Sequence, residues 1–121
     1  MSPGQAVLVG RLRGLLSGEP TVREVPMFGG RAFMVNDRLV VSAQQDGSLL
    51  VRADPARHDE LLARAGATQA VMGAARTMGP GWITVAPDTV VDDGILASWV
   101  DVARQHHRTP RPPEGGGAKM L

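Results

Sequence analysis

Apolar residues recur at Leu8, Val9, Leu12, Leu15 and Leu16 while Arg11 and Arg13 fall elsewhere. That is the three-and-four spacing of one helical face, and it predicts a helix over Gln5 to Ser17, ended by Gly18 and Pro20. The period then shortens. Four runs rich in Val, Leu or Met predict strands at Val22 to Met27, Arg31 to Val35, Arg38 to Gln44 and Ser48 to Ala53. The residues between them are hairpin chemistry: Phe28-Gly29-Gly30 offers two positions suited to positive φ, Asn36-Asp37 is a two-residue loop, and Gln45-Asp46-Gly47 suits a turn closed by a glycine bulge. An antiparallel meander follows.

Asp54-Pro55 reads as an N-cap and a first-turn proline, opening a helix to about Ala65 whose stripe is Leu61, Leu62 and Ala65, with Glu60 and Arg64 paired on the wet side and Gly66 as the stop. Thr68 to Met72 and Trp82 to Val85 predict two further strands, separated by a turn at Met78 to Gly81. Asp92 or Asp93 caps a last helix with Ile95, Leu96, Trp99, Val102 and Ala103 on one face and basic residues at its end. From Thr109 the Pro- and Gly-rich run has no apolar period, so residues 1–108 are expected to form the domain and 109–121 a disordered tail. The order α-β-β-β-β-α-β-β-α implies an α+β fold in two layers, an antiparallel sheet with helices on one face.

A length of 121 residues with 43% hydrophobic and 21% charged positions fits one folded domain and excludes a disordered chain. The absence of cysteine removes disulfides, thiolate nucleophiles and Cys-ligated metals. Ala6-Val7-Leu8-Val9 is too short for a signal core or membrane span, so a cytoplasmic location away from membranes is expected. A net charge of +1, with Arg23, Arg38, Arg57 and Arg64 interleaved among acids, leaves no basic stripe, so direct and tight nucleic-acid binding is not expected.

No nucleophile elbow, zinc-protease helix, Walker loop or dinucleotide fingerprint occurs. His58 lies beside Leu61 and Leu62 and reads as a boundary histidine, and His106-His107 diverge by about 100° around a helix, which suits end charge better than a shared metal. Asp92-Asp93 reads as a cap before a carboxylate pair, and Met27, Met34, Met72 and Met78 as flexible core filler. No cofactor is expected.

Met27-Phe28-Gly29-Gly30-Arg31-Ala32-Phe33-Met34-Val35-Asn36 resembles the signature hairpin of the TfoX N-terminal domain family. Leu49 to Pro55, Arg76 with Met78, Gly81-Trp82 and Leu96 to Val100 match further landmarks of that family in order. Two departures stand out: Asn36-Asp37 where the family writes Asn-Gly, and one extra residue between Arg76 and Trp82. The resemblance implies the two-layer fold shared with YgaC-like proteins and secretion chaperones. In bacterial competence regulators this domain precedes a helical one and assists a cyclic-AMP-dependent transcription activator; the short run after Arg108 suggests a stand-alone domain here.

The expected role is a non-catalytic protein-interaction or regulatory module, against the alternatives of a small-ligand or enzymatic domain and a weak nucleic-acid accessory. The candidate interaction residues are the hairpin Met27, Phe28, Gly29, Gly30 and Arg31, with Leu50, Arg52 and Trp82 on a sheet face that the helices leave uncovered. Alternation assigns Leu39, Val41, Ala43, Leu49, Val51 and Ala53 to the core and Arg38, Val40, Ser42, Leu50 and Arg52 to that other face, where an unidentified protein partner, most simply a second copy in a homodimer, is expected.

Overall fold

The computed structural model describes residues 2–27, 29–72 and 76–108, so Phe28 and the expected tail lie outside the described residues. Helix α1 (Pro3–Leu15) begins two residues ahead of the expected Gln5 because Ser2 accepts the Gln5 N–H at 3.1 Å and Pro3 brings the φ of a first turn. Leu8, Val9, Leu12 and Leu16 are buried as the spacing requires. Gln5, also buried, donates to the Ala43 carbonyl at 2.9 Å, and Arg13 reaches Glu24 at 2.8 Å, so both ends of α1 are fastened to the sheet.

The meander β1 (Val22–Met27), β2 (Gly30–Val35), β3 (Arg38–Ala43) and β4 (Leu49–Arg52) is antiparallel throughout. Asn36 and Asp37 both take positive φ, 51° and 63°, the geometry that makes a two-residue hairpin follow the strand twist. Asp37 replaces glycine in this left-handed position and forms an ion pair with Arg23 at 2.7 Å. At the next turn Gly47 has φ 88° and its N–H bonds to the Gln44 carbonyl, while the Ser48 hydroxyl and N–H hold the Asp46 carboxyl below its ordinary range.

A 3-10 turn (Pro55–Arg57) capped by Asp54 leads into α2 (His58–Leu62), which is shorter than expected. Three-residue hydrogen bonds from Arg64 to Leu61 and from Ala67 to Arg64 tighten the chain toward Gly66, φ 78°. Ala65 is therefore exposed, Glu60 pairs with Arg57 at 3.0 Å, and Arg64 instead lies 5.1 Å from the Trp99 ring. The strand expected over Thr68 to Met72 is two pieces, β5 (Ala67–Gln69) and β6 (Val71–Met72); β6 pairs with β7 (Arg76–Thr77) in a separate ribbon. β8 (Trp82–Val85) inserts between β4 and β5, giving a six-stranded order β1-β2-β3-β4-β8-β5.

After the short α3 (Pro87–Val90), helix α4 (Asp93–Arg108) starts with the Asp92 carboxylate accepting the Ile95 N–H at 2.9 Å. It lies over β3 and β4 and buries Leu96, Trp99, Val100, Val102 and Ala103. Ile95, expected on that face, is 39% exposed; Val100 occupies its place because it completes the three-and-four step from Leu96.

Three assignments of strand faces are corrected by one irregularity. β2 pairs Phe33 with Val41 but Met34 with Leu39, so Val40 is an extra residue in β3. Val40 and Val41 consequently both enter the core, Leu39 leaves it and is half-buried opposite Met34, and Arg38 turns to the helix side, opposite Val35. Leu50, expected on an open face, is 1% exposed on a central strand, bracketed by Ser42 and Thr84, so it presents no contact surface.

Gly30 is also corrected. Its φ is not positive; it is a strand residue opposite Met27, and a Cβ there would sit 2.8 Å from the Ala43 carbonyl and 2.9 Å from the Ser42 hydroxyl. Gly30→Val is expected to destabilise by about 2 kcal/mol or more in urea unfolding, from steric overlap with backbone that cannot yield; wild-type stability would mean the hairpin shifts at no cost.

Candidate functional site

The structure separates the candidate residues to opposite ends of the sheet. Met27, Gly29, Gly30 and Arg31 lie where β2 meets the end of β3, Arg52 and Trp82 lie at the other end, and Leu50 is buried between them. Beside the hairpin is a depression of about 520 Å³ lined by Ser2, Gln5, Pro26, Gly29, Arg31 and Gln45. Two of its polar side chains serve the fold: Ser2 donates to the Gln45 carbonyl and Gln5 to the Ala43 carbonyl. Met27, Met34 and Met78 are half-buried and so are not the core filler expected of them, and the Met72 side chain lies outside the described residues.

The other end holds a cleft of about 250 Å³ between the start of β3, the end of β4, the start of β8 and the last turn of α4. Arg38, Arg52, Trp82, His106 and His107 line it, and no described carboxylate does. Each is placed by a local feature. The bulge turns Arg38 toward α4, where its guanidinium donates to the His107 carbonyl at 2.7 Å and closes the helix end. Arg52 and Trp82 are cross-strand partners, and the guanidinium lies 4.8 Å from the ring centroid, a cation–π contact.

Gly81 fixes the start of β8. Its φ is 86°, its carbonyl accepts the Ala53 N–H at 2.7 Å, and its N–H donates to His58 Nδ1 at 2.9 Å. His58, half-buried beside Leu61 as a boundary histidine, accepts this N–H.

Burial, and then the positive charge of Arg38, hold the His107 imidazole below its ordinary value, with Arg108 adding to the effect and Glu19 opposing it. As pH falls through the ordinary imidazole range, the unfolded chain takes up this proton before the folded chain does, so the site loses stability toward acid. The neighbouring bases of α4 are already matched: Arg104 and Arg108 converge on Glu19 at 2.8 and 3.7 Å.

Chemically the cleft offers cationic forks and an aromatic wall, with no described hydroxyl or carboxylate in its lining. Asp92 and Asp93 do not act as a pair; one caps α4 and the other binds Arg11 at 2.8 Å. Among the described residues no three acidic or histidine side chains are grouped to hold a metal ion, and no helix is long and apolar enough to cross a membrane. Of the residues that line this cleft, sequence reasoning places Arg38, Arg52 and Trp82 on or beside the expected contact face, and reads His106 and His107 as helix-end charge; that α4 brings its end beside the start of β3 depends on the fold and has no sign in the sequence.

The family model of the TfoX N-terminal domain matches residues 14–107, from the last two residues of α1 through nearly all of α4. No curated protein matches the chain.

Gly81→Ala is expected to lower stability by about 2 kcal/mol or more, because the added methyl would lie 2.5 Å from the Ala53 carbonyl and 2.8 Å from the Arg52 guanidinium at an unfavourable φ. In residual folded protein the Trp82 indole resonance should move, since Arg52 must leave the ring. An unmoved resonance with full stability would contradict this account of how the cleft is built.

Proposed function

We propose that this chain, which belongs to the TfoX N-terminal domain family, is a non-catalytic regulatory module that binds an acidic group of a partner in the cleft between β3, β4, β8 and α4. The observation that carries this reading is the lining itself. Arg38 and Arg52 bring guanidinium groups to a lining whose described residues hold no hydroxyl, and no carboxylate to orient His107 as a base. This composition suits recognition of an anion. The regulatory role in transcription or competence that the family resemblance implies is of this kind, because such a role asks for recognition and no turnover.

The reading is checked by charge reversal. The tagged chain and its Arg38→Glu/Arg52→Glu form are compared for proteins retained from the cells that make it, with circular dichroism confirming that both fold. A partner retained by the wild type, released by about 0.5 M salt and lost on reversal is the expected result. An unchanged set of partners would contradict the reading, and so would a turnover by the isolated chain that disappears in His107→Ala.

A further inference from the structure

We infer that the outer face of α1 is a two-fold interface, on which a second copy of this chain packs its own α1 in antiparallel orientation. The surface shares no lining residue with the cleft, and the inference does not rest on the cleft reading.

The starting observation is a helix that is apolar on both sides. Its inward stripe is Leu8, Val9, Leu12 and Leu16. The outward one is Pro3, Val7, Gly10 and Gly14, all exposed, in steps of four, three and four residues, the spacing of a seam between two helices. A surface helix turns charged side chains to water, whereas one that is apolar all round is covered. Here Val7 is 63% exposed, and Val91, at the end of α3 across a groove of about 330 Å³, is 70% exposed.

Nothing among the described residues accounts for Gly10. It stands in mid-helix, where glycine is a poorer helix former than any residue but proline, and a Cβ built on it would meet no described atom within 4 Å. A side chain missing at such a place favours an approach from outside the domain, since it lets a second helix axis come near.

Three features select a second copy as the occupant. Complementarity is the first. A two-fold axis sets a face against itself, so each projection needs a recess on the same face. With the axis passing midway between Val7 and Gly10, the isopropyl group of each copy lies over the other copy's Gly10, and Pro3 comes opposite Gly14.

The second is charge. The same symmetry brings every charge toward its own mate, so an unmatched one would repel. Only Arg11 and Arg13 are charged in α1, and each is already bonded to an acid, Arg11 to Asp93 at 2.8 Å and Arg13 to Glu24. A strongly acidic or basic partner would find no complement on this face.

The third is direction. Both arginines lie in the second half of α1, while Asp46 sits beside its first turn and lines the groove with Pro3 and Gly4. Hydrogen bonds from Ser48 hold the Asp46 carboxyl below its ordinary range, so it is a carboxylate at neutral pH. Antiparallel packing sets this acid at the arginine-bearing half of the other α1; parallel packing sets it level with the other Asp46.

A helix of 13 residues is about 20 Å long, and a contact of that length with one flanking groove belongs to the small class of interfaces. The test is therefore sedimentation equilibrium of the whole chain from about 1 to 500 μM, with an expected dissociation constant of about 10 to 100 μM. Gly10→Gln is the discriminating variant, because glutamine is the better helix former and its side chain has room in one copy. In dilute solution it should unfold at the wild-type temperature or above, yet it should weaken the dimer by about tenfold or more. Val7→Glu should weaken it as much by placing like charges across the axis, with unchanged circular dichroism.

The chain has no cysteine, so single replacements report orientation. A mixture of Val7→Cys and Gly10→Cys should crosslink on oxidation faster than either alone. A monomer over the whole concentration range overturns the inference. So does a dimer that either Gly10→Gln or Val7→Glu leaves intact, or crosslinking that is fastest in Val7→Cys alone, the sign of parallel helices.

Discussion

One extra residue in one strand decides how this domain is arranged. With Val40 inserted opposite the Phe33–Met34 step, β3 places Val40 and Val41 together in the core and turns Arg38 to the side where α4 ends. A regular ladder would have sent Val40 to the other face and Arg38 with it. Val41 is buried in either register; the bulge adds Val40, whose burial, roughly 1.5 to 3 kcal/mol, offsets the ladder hydrogen bond that a bulge disturbs, worth about 1 kcal/mol net. The same step carries the guanidinium to the His107 carbonyl and so joins the fourth helix to the start of the third strand.

Local chemistry was legible in the sequence wherever a residue determines its own neighbourhood. β1 and β8 fall where Val, Met, Trp and Ile place them, Asn36-Asp37 is the two-residue turn, and Asp54-Pro55 opens a helical turn. What was not legible depends on partners distant in the chain. Alternation in β3 fails because a bulge is set by the pairing of two strands and leaves no mark in either one. Gly30 takes ordinary strand geometry, and its lack of a side chain answers a close approach from Ala43 and Ser42. Leu50 carries an interface-like pattern yet is buried on a central strand. The cleft joins residues 69 positions apart, so the bases of Arg38 and His107 looked like scattered solvated charges until the fold assembled them.

That assembly connects fold to function through electrostatics. The exposed pairs Arg23–Asp37 and Arg57–Glu60 are matched one to one and contribute little beyond register. Among the described residues around the end of α4, Glu19 takes Arg104 and Arg108, Asp101 lies 3.7 Å from Arg104, and Arg38 donates to a backbone carbonyl. Membership of the TfoX N-terminal domain family fixes the scaffold, and at this end of it Arg38, Arg52, Trp82, His106 and His107 line the cleft on which the proposed function rests.

The most direct measurement is the titration of His107 by nuclear magnetic resonance in the wild type and in Arg38→Met. With Arg38 facing α4, His107 should titrate below the ordinary imidazole value in the wild type and move upward in the variant, burial holding it only part of the way down. A His107 that titrates at its ordinary value, or one that does not respond when Arg38 is removed, would contradict the bulge-built cleft on which the account rests.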